Sequence, residues 1–156
     1  MPKASFASLA AACLLPVAGL AVAACPSAAS IGALAAAWQS MTPATGLDPA
    51  MSMDDGLCGQ KLLLAELAKT QGRVVGYKAG LTNPAVQKRF GYDAPVRGTL
   101  FEKMLLADGA EVPAKFGARP LFEADLVVEV GDDGINDART PAEVLPHLSR
   151  IIPFIE

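Results

Sequence analysis

Charged residues are missing from a long stretch near the start of the chain. The sequence has 156 residues and 19% of them are charged, yet none of the charged ones lies between Lys3 and Asp48. Apart from Lys3, all of the 13 basic and 16 acidic residues therefore lie from Asp48 onward. This uneven distribution excludes a uniformly apolar membrane protein. A hydrophobic content of 52% also excludes a disordered chain, which has low hydrophobicity and high net charge.

The sequence also has little of what several binding functions require. Its net charge is −3 and no basic cluster stands out, which argues against nucleic acid as a partner, because phosphate binding needs several cations on one face. One histidine and three cysteines are too few for a histidine-rich metal site or a four-cysteine zinc module. No G-x-S-x-G nucleophile turn and no phosphate-binding glycine loop occurs.

The uncharged start of the chain has the three parts of an export signal. Lys3 supplies the positive region, residues 10–20 are apolar, and Ala21-Val22-Ala23 is a small-x-small cleavage site. The apolar stretch is short for a hydrocarbon core of about 30 Å, and Pro16 interrupts it. The sequence therefore predicts a signal peptide over residues 1–24, export to the periplasm and no transmembrane span after cleavage. A retained membrane anchor is the alternative.

Two chemical fates are open for Cys25. The run from Val22 to Cys25 resembles a lipobox, in which the cysteine becomes the lipidated first residue of a bacterial lipoprotein. In an oxidising compartment Cys25 can instead pair with Cys58, since a cysteine near a mobile terminus can reach such a partner. Cys13 lies inside the predicted signal. The sequence slightly favours the disulfide over the lipid anchor.

Cap and turn residues divide the rest of the chain into short elements. Residues 25–51 are rich in alanine and then in threonine, proline and glycine, which predicts a linker with a short helix over residues 31–41, anchored by Trp38. Ser52 is predicted to cap a helix that reaches about residue 70, closed by glycine. Strands are predicted over residues 74–79, 121–130 and 151–156 and a strand or turn over 99–106, with a loop over 91–98 and short helices opening at Asn83-Pro84 and Thr140-Pro141.

These elements predict an α+β chain, with a small helical N-terminal part packed on a mixed or antiparallel sheet. The strand over residues 121–130 has one wholly apolar face, which we expect to pack on a core. Its other face carries Glu123, Asp125 and Glu129, and successive positions on this face lie about 7 Å apart along the strand. Like charges at this spacing repel unless water, a cation or a basic partner compensates them. The pattern fits either a solvated face or a site for Mg²⁺, which prefers oxygen ligands.

Two further side chains have more than one interpretation. Lys78 lies within an apolar predicted strand, where a lysine can cover apolar surface with its stem and keep its ammonium in water. It can also hold a carboxylate or move a proton from a partly buried position. His147 follows Pro146 in a surface-type helix and is predicted to be exposed and inert.

Several segments of the chain resemble those of a known family. The segment from Gly76 to Gln87 is similar to the G-x-K-x-G-L-T-x-x-A-x-Q segment of the 2-oxopent-4-enoate hydratases and 4-oxalocrotonate decarboxylases, in the fumarylacetoacetate hydrolase superfamily. Matching segments follow in the same order at residues 98–101, 120–125, 131, 140–148 and 152–156. The resemblance covers roughly residues 48–156. It implies an α+β fold of the fumarylacetoacetate-hydrolase type, a small 2-oxo acid as substrate, and leaves a homo-oligomer open.

The resemblance also implies a site. Family members hold Mg²⁺ or Mn²⁺ with an E-x-E pair and a further glutamate, which fall here on Glu123, Asp125 and Glu156. The catalytic lysine of the family falls on Lys78. The metal would chelate the carboxylate and 2-oxo oxygens of the substrate and stabilise an enolate, and Lys78 would pair with the carboxylate or assist the proton shift.

The chain departs from the family pattern at several points. Asp125 replaces a glutamate and reaches one methylene less far. Val96, within Pro95-Val96-Arg97-Gly98, stands where the family has a catalytic acid and cannot move a proton; Asp93 is the nearest acid. The predicted export is unusual for hydratases of this kind, which are normally cytoplasmic. Because family members are longer and the chain ends in an apolar run, we expect residues 52–156 to be a helix plus only the first part of the catalytic domain, incomplete after Glu156.

Three functions from different classes remain open. The first is a metal-dependent, hydratase-like lyase, for which a 2-oxo-acid decarboxylase and a C–C hydrolase are variants that share the metal step. The second is an exported, non-catalytic fragment or degenerate relative of the same family. The third is a periplasmic binding lipoprotein anchored through Cys25.

Overall fold

The computed structural model describes residues 24–156, an α+β chain. The predicted signal peptide, except for its last residue, and Cys13 within it lie outside the described residues. The helices are α1 (Ala28–Gln39), α2 (Met53–Gln71), α3 (Pro84–Phe90) and α4 (Pro141–Val144). The strands are β1 (Val74–Gly80), β2 (Val96–Phe101), β3 (Ala124–Val130) and β4 (Leu148–Ile155). Short 3-10 turns cover Glu102–Met104, Asp133–Asp137 and Leu145–His147.

The predicted cap residues begin the helices. The side chain of Ser52 accepts a hydrogen bond from the Asp55 amide at 3.1 Å, and Asn83 accepts one from the Ala85 amide at 2.8 Å. Thr140 forms a complete capping box at the start of α4. These caps are confirmed because each depends on residues only two or three positions away. Across residues 24–156, the structure shows no helix with the length and apolar character needed to cross a membrane.

Helix α1 packs on α2, and a disulfide between Cys25 and Cys58 links the two near their starts. The disulfide alternative for Cys25 is therefore the one that the structure contains. The side chains of α1 that become buried are Ile31 and Ala35. The prediction that Trp38 anchors this helix is wrong, because Trp38 lies in the last turn and stays 42% exposed.

A small core joins the two long helices to the first hairpin. It consists of Ala35 from α1, Leu67 from α2 and Phe101 from β2, with three partly buried neighbours: Leu63, Leu64 and Met104. Phe101 is 1% exposed and is the largest fully buried side chain of the described residues. The helical part therefore packs on the end of β2 and on the 3-10 turn that follows it.

Strands β1 and β2 form an antiparallel hairpin whose connection contains α3. Lys78 pairs with Gly98 and Gly80 pairs with Val96. The prediction of a loop up to residue 98 is wrong, because Val96 already belongs to this ladder. The strand ends at Phe101, and a 3-10 turn follows where the sequence predicted a strand or turn up to residue 106.

Strands β3 and β4 form a second antiparallel pair. The ladder continues past its regular ends through Glu123 and Glu156, whose backbone groups exchange N–H to O hydrogen bonds of 2.7 and 2.9 Å. The described residues thus contain two separate two-stranded antiparallel sheets instead of one larger sheet. The α+β class is confirmed, and the antiparallel pairing is as predicted.

The apolar face of β3 is exposed, so the prediction that it packs on a core is wrong. Leu126 is 63% exposed and Val128 is 51% exposed. Ile151 and Ile155 of β4, on the same face, are also exposed. Alternation along the strand correctly grouped these side chains, but within residues 24–156 no other helix or strand covers them.

Candidate functional site

An ion-pair cluster joins the two hairpins at the residues that the sequence singled out. Lys78 lies in β1, and its ammonium pairs with the carboxylate of Glu156, directly after β4. The same Nζ lies 3.8 Å from Oδ2 of Asp125 in β3. The Lys78 side chain is 38% exposed, so the cluster is open to solvent.

The β1–β2 ladder places Lys78 on a face with few other side chains. Strand alternation puts Gly76 and Gly80 on the same face, and the residue paired with Lys78 is Gly98. Val96 also lies on this face, because it pairs with Gly80 and is two residues from Gly98. Among the paired residues of β1 and β2, Lys78 is therefore the one ionisable side chain on this face.

The β3–β4 ladder places the three predicted metal ligands on one face. Glu123 and Glu156 are directly opposite each other, since their backbones form a hydrogen-bonded pair. Asp125 is two residues from Glu123 and shares its face. Asp125 and Glu156 both reach the Lys78 ammonium, whereas Glu123 forms no ion pair among the described residues.

Over residues 24–156, the structure does not gather three or more His, Cys, Asp or Glu side chains tightly enough to hold a metal ion. The structure thus brings Lys78, Asp125 and Glu156 together and places Glu123 beside them across the ladder. The metal site formed by Glu123, Asp125 and Glu156 stays a prediction.

Glu129, the third carboxylate of the predicted acidic face, has its own partners. Arg150, opposite it on β4, donates from Nε at 2.9 Å and from a terminal nitrogen, and the Ser149 hydroxyl donates at 3.0 Å. These hydrogen bonds, with that of Arg150 as the largest cause, lower the pKa of Glu129. Glu129 is therefore a structural residue of the hairpin and not part of the site.

Asp93, the nearest acid to the Val96 position, lies in different surroundings. It lines an open hollow together with residues of α3 and the loop after it: Pro84, Gln87, Lys88, Gly91 and Tyr92. Lys78 is not among the residues that line this hollow. That Asp93 replaces the missing acid stays a prediction.

Sequence reasoning missed a pair formed by His147 and Asp132. Nδ1 of His147 lies 2.7 Å from Oδ1 of Asp132, which also accepts a 2.8 Å hydrogen bond from the Gly134 amide. These two hydrogen bonds, the Gly134 amide first, lower the pKa of Asp132. The His147 side chain is 29% exposed, so the prediction that it is exposed is wrong, whereas the prediction that it is inert stays a prediction. The sequence shows the Asp-x-Gly turn, but it carries no signal for a partner fifteen residues away.

Gly134→Ala should destabilise the connection between β3 and β4, because a methyl group at this position has no room beside the pair of His147 and Asp132. An added Cβ would lie 2.5 Å from Cε1 of His147 and 2.8 Å from Oδ1 of Asp132, so it would force the pair apart. Urea unfolding measures the change. Gly46→Ala is the control, because an added Cβ there meets nothing within 4 Å. Equal stability of the two variants would show that the pair contributes nothing.

The fold and the cluster define an α+β chain with a lysine–carboxylate site between two antiparallel hairpins. No protein-family model matches the chain. The chain is 32% identical over 108 residues to a 2-keto-4-pentenoate hydratase of Paraburkholderia xenovorans, which is 69% of this chain and 40% of that protein. It is 38% identical over 92 residues to a 2-keto-4-pentenoate hydratase of Burkholderia vietnamiensis, 58% of this chain and 35% of that protein.

A further relative is 2-keto-4-pentenoate hydratase 1 of Dechloromonas aromatica, 37% identical over 84 residues, which is 54% of this chain and 32% of that protein. The resemblance to the hydratase family is therefore confirmed: the chain is a homologue of the 2-keto-4-pentenoate hydratases. It spans about a third to two fifths of the length of these curated relatives.

Proposed function

We propose that the chain carries a lysine–carboxylate site of a hydratase-like lyase that acts on a small 2-oxo acid of the 2-oxopent-4-enoate type. The observation that carries the proposal is the meeting of Lys78 from one hairpin with Asp125 and Glu156 from the other. These are the positions at which the hydratase pattern has its catalytic lysine and two of its metal ligands. The homology to proteins named 2-keto-4-pentenoate hydratase supports the same substrate class.

The proposal includes a fold of the fumarylacetoacetate-hydrolase type. Its support is the order of the matching segments along the chain, together with the antiparallel ladders that carry Lys78 and Asp125. In this proposal, residues 52–156 supply a helix followed by the first part of such a catalytic domain.

The chemistry of the three proposed ligands suits a hard divalent cation. Glu123, Asp125 and Glu156 offer only carboxylate oxygens, which Mg²⁺ and Mn²⁺ prefer as ligands. Two of these carboxylates already converge on one cationic group, the ammonium of Lys78, so this point of the fold accommodates positive charge. When bound there, the metal would supply Lewis-acid polarisation of the substrate's oxygen atoms.

Lys78 has the properties needed to hold the substrate. Its ammonium has three N–H donors on a flexible stem and remains partly exposed, so it can donate to the carboxylate of a 2-oxo acid. The glycine opposite it and the glycines on either side leave the ammonium accessible from this face of the hairpin. We assign Lys78 the role of binding and orienting the acid.

Val96 favours a second candidate, a degenerate relative that binds the acid without hydrating it. Val96 lies on the face of Lys78, where an acid would be placed to move a proton, and its side chain has no ionisable group. The chain therefore keeps the groups that bind a 2-oxo acid and lacks the group that the family uses for proton transfer. A 2-oxo-acid decarboxylase keeps the same binding groups.

Calorimetric titration of the purified chain with Mn²⁺ tests the site. Glu123→Gln removes a proposed ligand and leaves the ion pairs of Lys78 intact, so we expect at least about tenfold weaker binding, as for loss of one ligand interaction of about 1.4 kcal/mol. Glu111→Gln removes one negative charge from an exposed loop and serves as the control. Equal affinities for Mn²⁺ in both variants would contradict the proposed metal ligands.

A further inference from the structure

The disulfide between Cys25 and Cys58 joins the segment before α1 to the first half of α2. The two Cα atoms lie 5.4 Å apart, and the cysteines are separated by 33 residues in the sequence. The cross-link therefore closes a loop that contains the whole of α1. It is independent of the site formed by Lys78.

The residues next to each cysteine also pack together. Gly59, which is buried, faces the ring of Pro26: a Cβ added to Gly59 would lie 2.9 Å from Cγ of Pro26 and 3.6 Å from Cδ1 of Leu47. Only glycine at position 59 leaves room for this ring. Ser27, which follows Pro26 in the chain, accepts a hydrogen bond from the Ser30 amide and caps the start of α1. Three consecutive residues thus contact or begin a helix: Cys25 is bonded to Cys58, Pro26 packs on Gly59, and Ser27 caps α1.

This clasp, formed by Cys25, Pro26, Cys58 and Gly59, lies at the start of a helix that buries few of its side chains. Helix α1 buries only Ile31 and Ala35. In the chain-entropy account, cross-linking a loop of this length lowers the unfolding equilibrium constant by a few hundredfold, on the order of 10² to 10³. The clasp is therefore a large contribution to the docking of α1 on α2.

We propose that Cys25 is a disulfide partner and not a lipid attachment site, and that oxidation of Cys25 and Cys58 is the modification that locks α1 onto α2. One sulfur atom cannot serve both purposes, because a lipid thioether leaves it no free thiolate. In the oxidation, the two thiols lose two protons and two electrons and one S–S bond forms. An oxidised thiol–disulfide oxidoreductase accepts the electrons by exchange through a mixed disulfide and leaves as the dithiol.

This chemistry requires an oxidising compartment, where such disulfides form and persist. The export signal predicted over residues 1–24 would deliver the chain to one. A disulfide at these cysteines therefore fits export to the periplasm, which we propose for this chain. Neither the disulfide nor export depends on the proposed lyase activity.

The first experiment is peptide mapping of the exported full chain, purified without reductant and after blocking free thiols. We expect a cross-linked peptide pair that contains Cys25 and Cys58, lighter than the reduced peptides by two hydrogen atoms, and no acyl group on Cys25. Growth with a labelled fatty acid should leave the chain unlabelled. Free thiols at both positions, or a label on Cys25, would overturn the proposal.

The second experiment asks whether the link locks α1. Hydrogen exchange should show faster exchange of the α1 amides in Cys58→Ser, by up to the few hundredfold expected from loop closure, with the amides of β3 and β4 unchanged. Gly59→Ala should increase the fraction of free thiols, because its methyl group displaces Pro26. Gly56→Ala, in the same helix, meets only Sδ of Met51 at 3.9 Å and is the matched control. Unchanged α1 protection in Cys58→Ser would contradict the lock.

Discussion

Phe101→Ala should destabilise the chain by about 3–5 kcal/mol, the cost of deleting a buried aromatic ring together with the cavity it leaves. Phe101 is 1% exposed and packs with Ala35 and Leu67. The described residues include only three other buried hydrophobic side chains, those of Ile31, Ala35 and Leu67, so few neighbours can move into the space. Urea unfolding, followed by the fluorescence of the single tryptophan in α1, measures the loss.

Phe90→Ala is the matched control for this prediction. Phe90 is at the end of α3 and is 68% exposed, so its removal should change the free energy of unfolding by no more than about 0.5 kcal/mol. Because a small domain is stable by only about 5–15 kcal/mol, Phe101→Ala should remove a large part of the total. Equal losses in the two variants would mean that the contact of α1 and α2 with β2 is not the stabilising core.

Local hydrogen bonding explains why the helix starts could be predicted. Ser52, Asn83 and Thr140 each accept a hydrogen bond from an amide two or three residues further along the chain. Proline at the first position of α3 and of α4 adds a second local signal. Such interactions depend on neighbouring residues alone, so the sequence contains all the information they need.

Long-range contacts explain most of the errors. The alternation of residues 121–130 shows which side chains share a face, but not which face another element covers. Leu126 and Val128 are exposed for that reason, while Val127 on the acidic face is partly buried. The pairs of Asp132 with His147 and of Glu129 with Arg150 depend on how β4 returns beside β3. No short sequence pattern specifies that return.

The site was predicted from two kinds of information. Strand alternation alone placed Glu123 and Asp125 on one face, and the ladder bears this out. The meeting of Lys78 with Asp125 and Glu156 joins two hairpins, and only the family pattern indicated it. The sequence pattern alone did not predict that Lys78 balances the negative charge of Asp125, or that Arg150 balances that of Glu129.

The chain as it stands should show little or no turnover of a 2-oxo-4-enoic acid, even with Mg²⁺ or Mn²⁺ supplied. Val96 replaces a proton-transfer group typically worth about 10²–10⁴ in rate. Asp125 is one methylene shorter than the family's glutamate, and a displacement of about 1 Å at a reacting centre can cost roughly 10²-fold. The site is also open, with the Lys78 side chain 38% exposed, whereas electrostatic catalysis needs a dry, preorganised pocket. Loss of the conjugated dienol absorbance measures turnover.

Val96→Asp should raise that turnover by at least about tenfold, a fraction of what a well-placed proton-transfer group supplies. The ladder places position 96 on the same face as Lys78, paired with Gly80, so the new carboxyl group would lie beside the bound acid. Val96→Asn introduces a side chain of nearly the same size and polarity as that of aspartate, but an amide cannot transfer the proton. It should therefore give no gain in turnover. Lys78→Met in the Val96→Asp background should remove the gain, because the acid would no longer be held. Robust turnover by the unaltered chain, abolished by Glu123→Ala, would falsify the degenerate-relative alternative and show that another group supplies the proton.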